Sequence, residues 1–141
     1  MAKKATKLGR LSIGEMRNLV NKKAGMEVAF DLTKENPTQV SEWIPTGSRW
    51  LDSVICRGQL AGIPVGKVVE IAGLEGSGKS FMAAQIAANA QKMGIDVVYF
   101  DAESAIDPDF LASAGCDVDN ILYLQPPSVE YVLETIEELL G

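Results

Sequence analysis

The sequence contains no histidine and only two cysteines among its 141 residues. The missing imidazole excludes Ser-His-Asp and Cys-His catalysis, and it excludes every zinc site that needs a histidine ligand. Cys56 and Cys116 do not have CxxC spacing, so we predict two small buried or half-buried side chains and no disulfide framework. Any chemistry must therefore use carboxylates, lysine, serine and a bound metal ion.

Long apolar runs are also missing, so no segment of the sequence is predicted to cross a bilayer. The start of the chain, Met1–Lys7, is basic and no apolar segment follows it, which argues against a secretory signal. The length and the 47% hydrophobic content are typical of one ordinary domain. We expect an intracellular, cytoplasmic protein without a membrane partner.

Charge is unevenly distributed along the chain. The first 23 residues contain seven basic residues and one acidic residue, whereas the remainder contains six basic and 18 acidic residues. A basic arm on an acidic body suggests contact with nucleic acid or with a neighbouring copy, although residues 1–7 fit a solvated tail better. Ser12 and Glu15 have the spacing of a capping box, and apolar residues follow at helical spacing. We predict a short helix here that docks on another surface, because it is too short to fold alone.

After Gly66, short apolar runs alternate with helical patterns. Runs as continuously apolar as Asp96–Phe100 are typical of a parallel sheet covered on both faces. The alternation predicts an α/β fold with an open, mostly parallel, right-handed sheet flanked by helices. The predicted strands are Val68–Ala72, Asp96–Phe100 and Ile121–Leu124, and the predicted helices are Ser48–Cys56, Ser80–Met93, Pro108–Ala114 and Val129–Leu140.

The eight residues GLEGSGKS at positions 73–80 lie between the first predicted strand and the helix after it. This is the setting in which G-x-x-x-x-G-K-[ST] binds a nucleoside triphosphate. Its glycines let backbone N–H groups approach phosphate oxygens, and the positive end of the helix faces the same anion. A glycine-rich turn that only joins a strand to a helix is the alternative interpretation.

Each polar residue of this motif has a predicted role. Lys79 would reach the β- and γ-phosphates of ATP, and the Ser80 hydroxyl would be a ligand of Mg²⁺. The predicted nucleotide-binding residues of this segment are Gly73, Leu74, Glu75, Gly76, Ser77, Gly78, Lys79, Ser80 and Phe81.

Two carboxylates, Asp101 and Glu103, follow the second predicted strand. Ligands of open α/β sheets bind outside the carboxyl ends of the strands, and a carboxylate near a γ-phosphate can deprotonate an attacking water. One of the two is therefore a candidate catalytic base, with solvated strand-end acids as the alternative. Asp107 precedes Pro108 and has the pattern of a helix N-cap, and Phe110 is more typical of a core residue than of a ligand contact.

Four separate segments resemble the RecA-type recombinases, the family that includes the UvsX-like proteins. They are GKVVEIAGLEGSGKS at 66–80, TGSRWLD at 46–52, FDAESAIDP at 100–108, which is similar to the family's F-x-D-A-E-x-A-[LI]-D-P, and AGCDVDNIL at 114–122. The likeness covers about residues 44–140, and agreement of several separated motifs is far more specific than one loop. Its details lean toward recombinases carried by bacteriophages, which would place the protein in a bacterial cell or a phage-infected host.

The resemblance implies an ATP-dependent recombinase and DNA-dependent ATPase that coats single-stranded DNA as a filament and exchanges strands with duplex DNA. It implies that Glu103 activates water beside Lys79, and that Asp107 and Phe110 lie beside the adenine. Phe110 stands where the family usually has tyrosine, so it can stack but cannot hydrogen-bond through a hydroxyl. The resemblance also implies that the N-terminal helix packs on the adjacent protomer of a homo-oligomeric filament. Leu74 and Gly76 replace the commoner proline and serine of bacterial members.

A working site of this class also needs an apolar strand that ends in a Mg²⁺-organising aspartate, and none follows Leu124. The resemblance places that strand and the DNA-contacting loops beyond residue 141. We therefore interpret the chain as the N-terminal part of a longer protein. Residues 1–35 would form a basic arm and oligomerisation helix, and residues 36–141 the first part of the ATPase core. Alone, this piece should bind nucleotide weakly, hydrolyse it poorly and aggregate readily.

Two other functions stay open at this point. One is another ATPase on the same core, such as a DnaB-like helicase or a circadian-clock-type ATPase. The other is a truncated, non-catalytic regulator that caps filaments of a complete recombinase. Salt-sensitive filaments on single-stranded DNA would favour the recombinase over the first alternative.

Overall fold

The computed structural model describes residues 11–34 and 37–141, and it divides into two compact units between Gln39 and Val40. The basic start Met1–Lys7 and the predicted domain boundary at residues 35 and 36 lie outside the described residues. None of the helices in the described part of the chain combines the length and the apolar character needed to span a membrane.

The described secondary structure is mainly helical. The helices are α1 (Ile13–Ala24), α2 (Arg49–Ile55), α3 (Lys79–Lys92), α4 (Pro108–Ser113) and α5 (Val129–Leu140), with one 3₁₀ turn at Val118–Asn120. The strands are β1 (Trp43–Ile44), β2 (Ile63–Pro64), β3 (Val97–Phe100) and β4 (Ile121–Leu124). The predicted helices are confirmed to within one residue at each end, and the two later predicted strands are confirmed with β3 one residue shorter.

The first unit consists of α1 and the segment that folds back along it. Ser12 and Glu15 form the predicted capping box, in which the Ser12 backbone N–H donates to Glu15 Oε2 at 2.7 Å. The Asn21 amide binds the returning chain, because its Oδ1 accepts from the backbone N–H groups of Val28 and Ala29. None of the residues of α1 is buried within this unit.

The second unit contains two small sheets. The strands β1 and β2 are antiparallel, and β3 and β4 form a parallel ladder in which Val97 lies opposite Ile121 and Phe100 opposite Leu124. The α/β class is confirmed, but the prediction of a strand at Val68–Ala72 is wrong. These residues have no regular secondary structure, and Val68 is fully exposed. A strand depends on a hydrogen-bonded neighbour, and no strand in the described residues pairs with this segment.

The core of the second unit lies where α3 meets α4 and the β3–β4 sheet. Small residues on α3 allow this close approach, since Ala84 and Ala88 are 0% and 1% exposed. Leu111 and Cys116 complete the buried cluster. Both cysteines are free, with Cys116 buried and Cys56 half-buried, as the sequence predicted.

Candidate functional site

The loop before α3 folds tightly on itself. Gly76 and Gly78 have φ angles of +70° and +88°, a region that favours glycine because a Cβ would crowd the backbone. The Ser77 backbone N–H donates to the Leu74 carbonyl at 3.2 Å and closes a turn. A Cβ added at Gly73 would lie 2.8 Å from Ser77 Oγ, so a side chain at this position would require the Ser77 side chain to rotate.

The start of α3 faces an open groove. The N-cap residue is Gly78, which has no side chain with which to satisfy the first backbone N–H groups of the helix. These donors and the helix dipole favour an anion at this end. The groove has a volume of about 250 Å³, and it is lined by Gly76, Ser77, Gly78, Lys79, Ser80, Phe81 and Phe110.

The Lys79 side chain folds back over the loop. Its Nζ donates to the carbonyl oxygens of Gly73 and Leu74 at 3.1 and 2.9 Å. The ammonium group is therefore held at the glycine-rich loop by two neutral carbonyl acceptors. A phosphate oxygen could take their place and would form a stronger, charge-assisted hydrogen bond.

Two aromatic rings form one wall of the groove. Phe81 and Phe110 meet edge to face, with ring centroids 6.2 Å apart. Asp107 is the N-cap of α4, as predicted, and its Oδ1 accepts from the Phe110 backbone N–H at 2.7 Å. The cap thereby fixes the start of the helix that presents Phe110 to the groove.

A second groove opens at the carboxyl end of β3. Its lining includes Ser80 at the start of α3 together with Asp101 and Glu103 after the strand. Ser80 also lines the first groove, so the two grooves share this residue. Glu103 is exposed, whereas Asp101 is buried with 5% of its surface exposed. The two carboxylates that the sequence treated as equivalent candidates are thus in different environments.

Asp101 is surrounded by hydrogen-bond donors. Its Oδ1 accepts from the Glu103 backbone N–H at 3.1 Å, and its Oδ2 accepts from the Ile106 backbone N–H at 3.1 Å and from Tyr123 Oη at 2.8 Å. Burial raises the pKa of Asp101, but these hydrogen bonds outweigh it and hold the pKa below its ordinary value. The charged form of this carboxylate therefore organises the loop that carries Glu103.

Sequence reasoning missed Tyr123, because strand periodicity predicts which face a side chain occupies but not the partner of its hydroxyl. Tyr123 lies in β4, opposite Tyr99 of β3, and the two rings stack with centroids 6.4 Å apart. Its hydroxyl accepts from Gln125 Nε2 at 3.1 Å while it donates to Asp101. The sequence did carry a signal for this contact. Tyr123 lies near the carboxyl end of one predicted strand, and Asp101 directly follows the other predicted strand that pairs with it.

The segment at 46–52 is held together by buried polar contacts between its own residues. Thr46 and Asp52 are 2% and 5% exposed, and Asp52 Oδ1 accepts from both the backbone N–H and the hydroxyl of Thr46. Next to this pair, Asn89 of α3 donates from Nδ2 to the Pro45 carbonyl at 2.9 Å. The family motif at 46–52 thus contains an internal polar contact, and the residue just before it accepts a hydrogen bond from α3.

The residues present fit a nucleotide-bound Mg²⁺ better than a metal cage built by the protein alone. Among residues 11–34 and 37–141, no three acidic or cysteine side chains lie close enough together to hold a metal ion. Mg²⁺ commonly uses one or two protein ligands and completes its coordination with phosphate oxygens and water. The hydroxyl of Ser80, which the two grooves share, is suited to that arrangement.

Fold and site together define an α/β domain in which a glycine-rich loop leads into a helix beside two carboxylates. The family model of the RecA N-terminal domain matches residues 12–141. The chain therefore belongs to the RecA family.

Individual relatives agree with this assignment. The chain is 42% identical over 106 residues to a "Protein RecA" of Streptomyces avermitilis, and the match covers 75% of the chain and 27% of that relative. It is 40% identical over 123 residues to one of Heliobacterium modesticaldum, with 87% and 35% covered. It is 46% identical over 100 residues to one of Paenarthrobacter aurescens, with 71% and 28% covered. The matches therefore span about a quarter to a third of the length of these curated relatives.

Proposed function

We propose that this chain is the nucleotide-binding portion of an ATP-dependent DNA recombinase with a P-loop NTPase core. One observation carries the proposal. Ser80 lines both the groove of the glycine-rich loop and the groove that contains Glu103, so a triphosphate seated in the first groove would extend toward the carboxylate in the second. Membership of the RecA family supports the same function.

In this proposal, the loop Gly73–Ser80 and Phe81 surround the phosphates. Backbone N–H groups at the start of α3 would contact phosphate oxygens, and Lys79 would exchange the carbonyls of Gly73 and Leu74 for the β- and γ-phosphates. The Ser80 hydroxyl would be a ligand of Mg²⁺, which when bound neutralises charge on the β- and γ-phosphate oxygens.

Glu103 is the proposed catalytic base of ATP hydrolysis. Its carboxylate would take a proton from water as the water oxygen bonds to the γ-phosphorus. The bond between the γ-phosphorus and the bridging oxygen then breaks, and ADP leaves with the electron pair. Exposure of Glu103 in the groove next to Ser80 supports this role, whereas Asp101 is occupied by its hydrogen bonds.

Phe110 is proposed to contact the adenine, with Asp107 beside it. The Phe110 ring lines the groove of the glycine-rich loop and is held at an angle by Phe81. A phenyl ring offers stacking and no hydrogen bond, so this contact would contribute affinity more than base selectivity.

The DNA-related functions belong to the proposal for the complete protein. Single-stranded and duplex DNA would be bound by regions outside these 141 residues, in a homo-oligomeric filament that uses α1 as a contact between protomers. The exposed Ile13 and Leu19 of α1 and its basic last turn support a docking role. We further propose a division at residues 35 and 36 into an oligomerisation arm and an ATPase core, and a location in the bacterial cytoplasm, where DNA is found.

The proposal is tested by nucleotide binding to the 141-residue chain in the presence of Mg²⁺. Lys79→Ala should weaken the binding of a fluorescent ATP analogue at least about tenfold, because it removes a charge-assisted contact. Lys92→Ala is the matched control, since Lys92 lies at the other end of α3 and its Nζ contacts Asn89 Oδ1. Equal affinities for the wild-type chain and the Lys79→Ala variant would contradict the proposal.

Hydrolysis is tested in the complete protein with single-stranded DNA present. Glu103→Gln should keep the affinity for ATP and lose most of the turnover, because an amide cannot accept the proton. Turnover equal to wild type in this variant would remove Glu103 from the proposed mechanism.

A further inference from the structure

We propose that Tyr123 and Asp101 are positioning residues for Glu103, joined in a hydrogen-bonded chain that fixes the loop between β3 and α4. This inference rests on the proposed function, because it assigns a role to two residues in the same hydrolysis reaction. It adds a residue of β4 to a site whose sequence-predicted residues lie in α3, in α4 and in the loops before these helices.

The chain of hydrogen bonds begins at the carboxyl end of β4. Gln125 Nε2 donates to Tyr123 Oη at 3.1 Å, and Tyr123 Oη donates to Asp101 Oδ2 at 2.8 Å. The parallel ladder supports this geometry, since it pairs Phe100 with Leu124, and the Asp101 backbone N–H donates to the Leu124 carbonyl at 2.9 Å. The hydroxyl and the carboxylate thus meet at one edge of the sheet because the strands are in register.

From Asp101 the chain continues into the loop. The two carboxylate oxygens accept from the backbone N–H groups of Glu103 and Ile106, which lie two and five residues further along the chain. Between these two anchor points, Ser104 has a φ of +53°, a conformation that non-glycine residues adopt only when their surroundings impose it. The hydrogen bonds to Asp101 therefore hold the backbone of this loop in one conformation. That conformation sets the position of the Glu103 Cα atom and so the region that its carboxylate can reach.

Tyr123 completes the set of donors to Asp101. In the described contacts its hydroxyl is the side-chain donor to Asp101, whereas the other donors are backbone N–H groups of the loop itself. The hydrogen bond to Asp101 raises the pKa of Tyr123, so the phenol stays protonated and remains a donor. A misplaced base lowers a hydrolysis rate more than it lowers nucleotide affinity, because the affinity depends mainly on the phosphate contacts.

The test uses the complete protein and compares Tyr123→Phe with Tyr131→Phe. Tyr131 is the matched control, since it is an exposed tyrosine of α5 that lines neither groove. We expect Tyr123→Phe to lower kcat for ATP hydrolysis about tenfold and to change KM less than about twofold. Tyr131→Phe should change neither constant by more than about twofold. A kcat unchanged by Tyr123→Phe would overturn the inference.

A double substitution separates a shared role from two independent ones. If Tyr123 acts only through Asp101, then Tyr123→Phe combined with Asp101→Asn should lower kcat no further than Asp101→Asn alone. Additive losses would contradict the inference. Amide exchange gives a second readout, in which residues 101–106 should exchange faster in Tyr123→Phe while α3 is unchanged.

Gln125→Ala is the gentler variant in case Tyr123→Phe does not fold, because Gln125 is exposed. It should change the exchange of residues 101–106 and kcat in the same direction by a smaller amount, and no change in either would overturn the inference. Failure of the proposed function is distinguishable. If Lys79→Ala and Glu103→Gln abolish turnover while Tyr123→Phe does not lower it, only the positioning role is wrong.

Discussion

At the residue scale, two neighbouring acids in the sequence have different roles in the structure. Asp101 is buried and bound by donors, while Glu103 is exposed in the groove beside Ser80. The physical reason is that a carboxylate close to the sheet can be desolvated only if donors replace its water. The strand end supplies these donors to the first acid, which leaves the second one free to face a ligand.

The depressed pKa of Asp101 predicts a pH dependence of stability. Its ordinary value is 3.8, and the folded-state value is lower, so the unfolded chain binds the proton first as the pH falls. The stabilisation by charged Asp101 is therefore present above about pH 4 and is lost as the pH falls through the folded-state pKa. Wild type should be more stable than Asp101→Asn at neutral pH, and the difference should shrink in acid. Chemical denaturation at several pH values measures it, and a difference that grows in acid would contradict the prediction.

At the scale of elements, helices were predicted well because their signals are local. The Ser12–Glu15 capping box, the Asp107–Pro108 start of α4 and the glycine after α3 all lie within one turn of the boundary that they set. Strands depend on partners distant in the sequence. For this reason the two-residue strands β1 and β2 were missed and the strand at 68–72 was wrong.

Contacts between residues distant in the sequence also could not be predicted for α2 and for the site. In α2 the structure leaves Trp50 78% exposed and buries Asp52, because the partner of Asp52, Thr46, lies outside the helix. The glycine-rich loop and the strand-end acids could be located from the sequence because each is a continuous motif. The Tyr123–Asp101 contact could not, because it joins residues 22 positions apart.

The connection between β1 and β2 predicts unequal effects at two glycines. A Cβ at Gly62, where φ is +111°, would overlap the Ile44 carbonyl and lie 2.9 Å from Pro45 Cα. At Gly58, where φ is +95°, an added Cβ would meet open space. Gly58→Ala should therefore cost about 1 kcal/mol through backbone strain alone, and Gly62→Ala more than about 3 kcal/mol because backbone must also move. Urea denaturation of both variants measures the difference, and equal losses would show that the β1–β2 pair tolerates the displacement.

At the scale of the whole molecule, the chain leaves many of its large apolar side chains exposed. Exposed apolar surface lies on α5, where Val129, Leu133 and Leu140 are 71%, 62% and 82% exposed, and in the segment before α3, where Val68 is fully exposed. Apolar patches of this kind favour association in water. The sequence predicts exposed apolar surface beside strands that lie outside this chain, and the structure places much of that surface on the helix α5.

We therefore predict that the 141-residue chain self-associates. Its weight-average sedimentation coefficient should rise with concentration, and Leu133→Lys combined with Leu140→Lys should reduce the rise, because both side chains project from the apolar side of α5. Gln59→Lys combined with Ala112→Lys is the control, since it adds the same charge at exposed positions outside α5. A coefficient independent of concentration in the wild-type chain would contradict the prediction.

The bare start of α3 has a consequence for the lifetime of the protein in the cell. Gly78 leaves the first turn without a cap, and the same helix carries Ala84 and Ala88, the most deeply buried apolar residues described. An anion at that turn stabilises the folded chain in proportion to the logarithm of its concentration. Chains with an anion bound at this turn would then resist proteolysis longer than chains without one, because the bound anion lowers the population of the unfolded state.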